Sequence, residues 1–205
     1  MKIIRHEVGP VDCNCYILFD EDSKEGIIID AGGNADLISK SINENEIDVK
    51  HILCTHGHFD HLIALTELRQ TISAPISIHE NDKELYENMH LQSLMFGLDL
   101  KPNPVINHFL TDGEEISWSK YKIKVIHTPG HTQGGVCFLV ENNLFSGDTL
   151  FEESIGRTDL PGGSLKQLLN SIKERILILP DDTIIYPGHG EKTNVLHEKN
   201  ENPYL

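Results

Sequence analysis

Val49-Lys50-His51-Ile52-Leu53-Cys54-Thr55-His56-Gly57-His58-Phe59-Asp60-His61 is the stretch on which the reading of this chain turns. Val49 to Cys54 is apolar enough for a strand and stops abruptly at Thr55-His56-Gly57-His58. Beyond it Leu62, Leu65, Leu68 and Ile72 recur at helical spacing, which predicts a helix over Phe59 to Ile72. Imidazoles at 56, 58 and 61 and the Asp60 carboxylate are thus crowded onto one turn between a strand's C-terminal end and a helix. Clustered histidines each need a hydrogen-bond partner and repel one another when protonated, and a metal ion removes both problems. Mixed imidazole and carboxylate donors suit zinc, iron or manganese.

Upstream, Lys2 to Val8, Cys15 to Phe19 and Gly26 to Asp30 read as three short strands of a meander, with Gly9-Pro10 and Asp20 to Lys24 as turns. Asn34 is expected to cap a helix running to about Glu44. Downstream, Pro75 to His79 is a strand and Asn81 or Asp82 opens a helix to about Met89. Leu91 to Val105 reads as a loop or short irregular helix. Strands return at Tyr121 to His127, Gly135 to Glu141 and Asn143 to Ser146, with Asn142-Asn143 as the hairpin turn. A Gly- and Pro-rich loop, Glu153 to Gly163, leads to a helix from Ser164 to Leu177, a last strand Thr183 to Tyr186 and a polar tail.

Four of these strands end in glycine beside a possible metal donor: His56-Gly57-His58, Gly130-His131, Gly147-Asp148 and Gly188-His189. In layered α/β proteins sites form outside the carboxyl ends of strands, and glycine lets the backbone turn sharply towards an ion there.

Taken together, Thr55 to His61, Thr128-Pro129-Gly130-His131, Gly147-Asp148 and Gly188-His189 resemble the motif series of the metallo-β-lactamase superfamily, over nearly the whole chain. The resemblance implies an α/β, four-layer αββα sandwich of two mixed β-sheets flanked by helices, as a single domain over 1–205. It also implies two divalent metal ions, zinc first and iron or manganese as alternatives. His56, His58 and His131 would hold one, and Asp60, His61 and His189 the other, with Asp148 bridging. A hydroxide bridging the ions is the implied nucleophile, and Asp60 a ligand that also orients it. Asp30, at a strand end before Gly32-Gly33, is a candidate to orient a ligating imidazole.

Within that superfamily, β-lactamases commonly place a cysteine where this chain has Asp148. The Gly156-Arg157-Thr158-Asp159-Leu160-Pro161-Gly162-Gly163 stretch resembles short glyoxalase II-like hydrolases, which implies hydrolysis of a small thioester such as S-lactoylglutathione, or of an ester. Arg157 is the candidate to meet a substrate carboxylate, the alternative being an ion pair with Asp159 or Glu153. The chain ends at Leu205, so no separate C-terminal helical substrate domain is expected, and glutathione specificity stays open. A second reading is an iron-dependent persulfide dioxygenase, an oxidoreductase with one iron on His56, His131 and Asp148. A third is a non-catalytic metal-binding module.

Composition narrows the partners. The 205 residues carry 17 Lys and Arg against 32 Asp and Glu, a formal net charge of −15, which argues against a nucleic-acid surface. No apolar run is long enough to span a bilayer and Met1 to Val8 lacks a signal-peptide core, so a cytoplasmic location without membrane partners is expected. Cys13, Cys15, Cys54 and Cys137 show no zinc-ribbon or CxxC spacing and read as reduced, buried thiols, with a Cys13–Cys15 redox pair as the alternative. His127 is a further candidate to support a ligand, and Trp118, Phe96 and the loop around Met95 are candidates for a substrate cleft or for core packing.

Overall fold

The computed structural model describes residues 1–94 and 97–205, so the cleft expectation for Met95 and Phe96 lies outside the described residues. The first sheet runs β1 (Lys2–Val8), β2 (Cys13–Phe19), β3 (Glu25–Ile29), β4 (Asp48–Leu53), β5 (Ile76–His79) and β6 (His108–Leu110), in that spatial order. β1 to β3 form an antiparallel meander and β3 to β6 are parallel, which makes the sheet mixed. The second sheet holds β7 (Glu115–Trp118), β8 (Tyr121–His127), β9 (Val136–Val140) and β10 (Asn143–Gly147). After the small hairpin of β11 (Leu150–Phe151) and β12 (Ser154–Ile155), β13 (Ile184–Pro187) joins it parallel to β10, and β14 (Thr193–Asn194) completes the order β14-β13-β10-β9-β8-β7.

Period-two alternation assigns the two faces of each sheet. Along β2, Tyr16 and Leu18 join Ile27, Ile29, Leu53, Trp118, Phe138 and Phe145 between the sheets, while Cys15, Ile17 and Phe19 face the opposite way. That outer face packs on α1 (Ala35–Glu44) and α2 (Leu65–Leu68), through Ile38, Ile42, Leu65 and Leu68. Two short helices, α3 (Lys83–Glu87) and α4 (Met89–Leu94), continue that layer through Tyr86 and Met89. Outside the second sheet, Leu168 of α5 (Leu165–Ser171), Ile172 and Ile176 of the π-helical turn after it, and Val195 of α6 (Val195–Glu201) cover Ile126, Cys137, Leu144 and Ile185. The layering is helix, sheet, sheet, helix, as expected, and Trp118, 2 % exposed, belongs to the inter-sheet core rather than to a cleft.

Several local expectations are corrected. Asn34 stands at the N-terminus of α1 in the left-handed region (φ 49°) and caps nothing; its Oδ1 accepts from the Gly9 amide. Phe59 to Ile72 is not one helix: a single 3₁₀ turn, Phe59–His61, precedes the four-residue α2. Asp82 does not cap α3, and the hairpin turn falls one residue earlier, with Glu141 at φ 52°. The polar tail contains β14 and α6, capped by Asn194 and anchored by Val195. β6 and β7 are not expected from the sequence, since they are only three and four residues long and offer two apolar side chains each. Among the described residues no helix is long and apolar enough to cross a membrane.

Candidate metal centre

All seven expected side chains converge at the carboxyl ends of β4, β8, β10 and β13. β4 delivers His56 and His58, and the 3₁₀ turn that follows turns Asp60 and His61 inward. The second sheet contributes His131, Asp148 and His189 from the ends of β8, β10 and β13. Donor atoms of His56, His58 and His131 lie within 4.8 Å of one another, and so do those of His56, His61 and Asp148. His58 Nδ1 is 2.9 Å from His131 Nε2. In the second set, Asp60 Oδ2 lies 3.3 Å from His189 Nε2 and 3.7 Å from His61 Nε2. Asp148 stands between them: Oδ1 is 3.4 Å from His61 Nε2, and Oδ2 is 3.6 Å from His131 Nε2 and 3.8 Å from His189 Nε2.

Glycines make this approach possible. A Cβ at Gly130, whose φ is 142°, would lie 2.2 Å from the Leu168 nitrogen, so the turn that presents His131 admits only glycine. A Cβ at Gly188 would lie 2.2 Å from Asp148 Oδ1 and fill the cradle itself.

Imidazole orientation is set from behind. His61 Nδ1 is 2.9 Å from Asp30 Oδ2, which leaves Nε2 facing Asp60 and Asp148. Asp30 also accepts from the Thr55 amide (2.8 Å) and hydroxyl (2.7 Å), and Thr55 Oγ1 lies 3.0 Å from His56 Nδ1. His131 Nδ1 donates to the Arg157 carbonyl at 2.7 Å. A donor bond behind the ring fixes the tautomer and leaves the front nitrogen's lone pair for a cation.

The residues fit a metal on a physical test. His56 Nε2, His61 Nε2 and Asp148 Oδ1 are buried without a hydrogen-bond partner, and all point into the same cradle. Orphaned buried polar atoms are rare in folded proteins, and a cation satisfies these three together. For His56 and His58 the electrostatics agree. Burial holds the His56 imidazole well below its ordinary value, and burial with the neighbouring His131 brings His58 down to about 4, so both are neutral donors at neutral pH. Burial alone would raise Asp148, but His61, His56 and His131 hold it well below the carboxylate range.

Other candidates are placed differently. Arg157 binds Asp159 bidentately (2.8 and 2.7 Å), so its guanidinium makes the intraloop ion pair while its carbonyl serves His131. His127 stacks on His79 at 4.2 Å and its Nε2 donates to the Gln133 carbonyl, away from the ligand rings. Cys13 and Cys15 are both free and fully buried; Cys13 Sγ lies 3.5 Å from His61 Nδ1. Asn14 and Asp82 support the ligand loops yet carry no spacing signal, while Thr55 stands in the quoted motif without a role that its spacing assigns. Only the chain's return beside the site reveals them.

Comparison with known proteins shows the family. A hydroxyacylglutathione hydrolase, GloC, of Haemophilus influenzae is 39% identical over 97% of this chain and 97% of that protein. A crystal structure described as BLEG-1 B3 metallo-beta-lactamase superposes with a TM-score of 0.93 at 36% identity, covering 100% of this chain and 99% of the other. TTHA1623 in a di-iron-bound form gives 0.90 at 33% identity, covering 98% and 100%. The model of the metallo-beta-lactamase superfamily matches residues 8–189, which span every proposed ligand from His56 to His189, and the chain belongs to that superfamily.

Proposed function

We propose that this chain is a binuclear metallohydrolase of small thioesters, with S-lactoylglutathione as the representative substrate. The observation that carries the two-ion reading is the gathering of two donor sets, His56, His58 and His131 on one side and Asp60, His61 and His189 on the other, with Asp148 between them: its Oδ1 is 3.4 Å from His61 Nε2, and its Oδ2 is 3.6 Å from His131 Nε2 and 3.8 Å from His189 Nε2. Two divalent cations there would supply Lewis acidity towards the substrate carbonyl and a water acidified to near neutrality.

The chain's own residues do the rest. Asp30 and the Arg157 carbonyl hold His61 and His131 with their Nε2 atoms forward. Asp60, partly open to solvent, is assigned to accept a hydrogen bond from the attacking water and fix its direction. No side-chain thiol competes as nucleophile: burial pushes Cys13 up to about 12, Cys137 up to about 11 and Cys15 and Cys54 well above the ordinary thiol value, so none of the four supplies a thiolate at neutral pH. Arg157 remains the assigned contact for an anionic substrate, because its pair with Asp159 is exposed and a substrate carboxylate competes for the same guanidinium face.

The thioester class rests on the GloC relative, and the two-ion count is supported by the di-iron neighbour. A single-iron dioxygenase on His56, His131 and Asp148 would leave Asp60, His61 and His189 gathered without a task. The test uses protein purified without added metal, analysed for its elements and then assayed on acyl-thiols, simple esters and a β-lactam, with oxygen uptake followed in parallel. Expected are two ions per chain and acyl-thiol hydrolysis that His58→Ala abolishes. Protein holding two ions but inactive on every acyl-thiol would overturn the substrate class, and one iron with oxygen uptake would replace hydrolysis by oxidation.

A further inference from the structure

Asp82 is fully buried, yet among the described residues no lysine or arginine pairs with it. Its carboxylate instead gathers three neutral donors from two separate loops. Oδ2 accepts from the Gly57 amide at 2.9 Å and the Thr132 hydroxyl at 2.7 Å, and Oδ1 accepts from the Gly134 amide at 2.6 Å. Gly57 lies between His56 and His58, and Thr132 follows His131, so the loops joined are the two that carry the three-histidine position. They come from different sheets. The contact is also close: a Cβ at Gly134 would lie 2.7 Å from Asp82 Cβ, and one at Gly57 would meet the Asp82 carbonyl oxygen at 3.0 Å.

A buried carboxylate without a counter-charge is costly, and burial raises the Asp82 pKa. Divalent cations in the cradle would supply part of the missing compensation. Asp30 already has a visible task on His61 and Thr55. Asp82 touches no ligand ring, and what it holds is the separation of two loops.

We infer that Asp82 is a positioning residue that sets the spacing of His56, His58 and His131 by holding Gly57, Thr132 and Gly134 on one carboxylate. This rests on the two-ion reading above and adds a direction to it: loss of Asp82 weakens the three-histidine position selectively. The position formed by Asp60, His61 and His189 is braced elsewhere. There the buried Asn14 donates from Nδ2 to the Pro187 and Gly190 carbonyls and from its backbone amide to the Gly188 carbonyl.

The experiment measures zinc affinity by competition with a chromogenic chelator in two full-length backgrounds. His189→Ala leaves the three-histidine position, and His131→Ala leaves the other. Adding Asp82→Asn is expected to weaken zinc by about 10- to 100-fold in the first background and by less than about threefold in the second, the usual range for groups that support metal ligands. Equal weakening in both, or none in the first, would overturn the inference; the former is what a general loss of packing would give. Should Asp82→Asn not fold, Thr132→Val removes one of the three donors and is expected to give about a 2- to 10-fold loss in the first background only. No loss there would overturn the inference. A wild type that takes up one ion overturns the two-ion reading alone, since the His189→Ala comparison is still read in the same way.

Discussion

At Gly188 the backbone passes so close to the cradle that a methyl group would occupy it, 2.2 Å from Asp148 Oδ1 and 2.7 Å from His61 Cε1. Its φ is not in the left-handed region, so alanine strains no backbone there and acts through space alone. Gly188→Ala is expected to keep its far-UV circular dichroism, bind less than two ions per chain and lose about 100-fold in acyl-thiol hydrolysis, the cost of about an ångström of misplacement. Two retained ions with activity within threefold of wild type would contradict that. Asp30 makes the complementary case, from behind the ring. It sits at φ 55°, a conformation asparagine tolerates, so Asp30→Asn keeps the turn and replaces one acceptor oxygen by a donor. Facing His61 Nδ1 and both Thr55 donors, that amide breaks at least one bond, and zinc affinity is expected to fall by about 10- to 100-fold in chelator competition. Unchanged affinity would assign Asp30 to the turn alone.

Elements show why the cradle was legible in the sequence and its supports were not. The ligands stand at strand ends beside glycine, and strands of this kind announce themselves by apolar runs. The same crowding spoiled the helix expected over Phe59 to Ile72. Turning Asp60 and His61 inward within three residues of His58 needs a tight 3₁₀ turn, so Leu62, Leu65 and Leu68 reach the core through short separate turns that mimic one helix in periodicity. Asn34 and Asp82 are residue types that favour helix caps, whereas partners distant in sequence, Gly9 for one and Gly57, Thr132 and Gly134 for the other, claim their side chains. Single-residue preference carries no record of such partners. A similar long-range brace lies on Asp20, just beyond the end of β2, where the carboxylate accepts from the Ser119 hydroxyl at 2.5 Å and the Asp22 amide at 3.2 Å and pairs with Lys120 at 3.2 Å. The Ser119 hydroxyl, with the Asp22 amide and Lys120 adding to it, lowers its pKa to about 2. A carboxyl depressed in the folded state stabilises above its unfolded pKa near 4 and loses that contribution as pH falls towards 2. Metal-free wild type is therefore expected to lose more unfolding temperature between pH 4 and pH 2 than metal-free Asp20→Asn. Parallel curves for the two proteins would show that the brace adds nothing.

For the molecule as a whole, the cradle is a staple between two sheets that otherwise meet through an apolar layer. His56, His58, Asp60 and His61 follow β4 of the first sheet, while His131, Asp148 and His189 end strands of the second. Hydrophobic contact between the sheets does not depend on metal, so the fold is expected to survive chelation. What changes is its stability. Without cations His56 Nε2, His61 Nε2 and Asp148 Oδ1 are buried and unpartnered, and each such atom costs about 1–3 kcal/mol. Seen from the ligand side, an ion present at a thousand times its dissociation constant stabilises by about 4 kcal/mol. For a domain of this size each kcal/mol moves the melting temperature by about 2–4 °C, so removing even one ion is expected to lower it by about 10 °C. A thermal scan with and without chelator reads this directly, and Gly188→Ala supplies the control: with its cradle partly filled, it should respond less to chelator than the wild type. Identical melting of wild type in both conditions would mean that the buried donors hold no ion, and both the staple and the hydrolysis built on it would have to be abandoned.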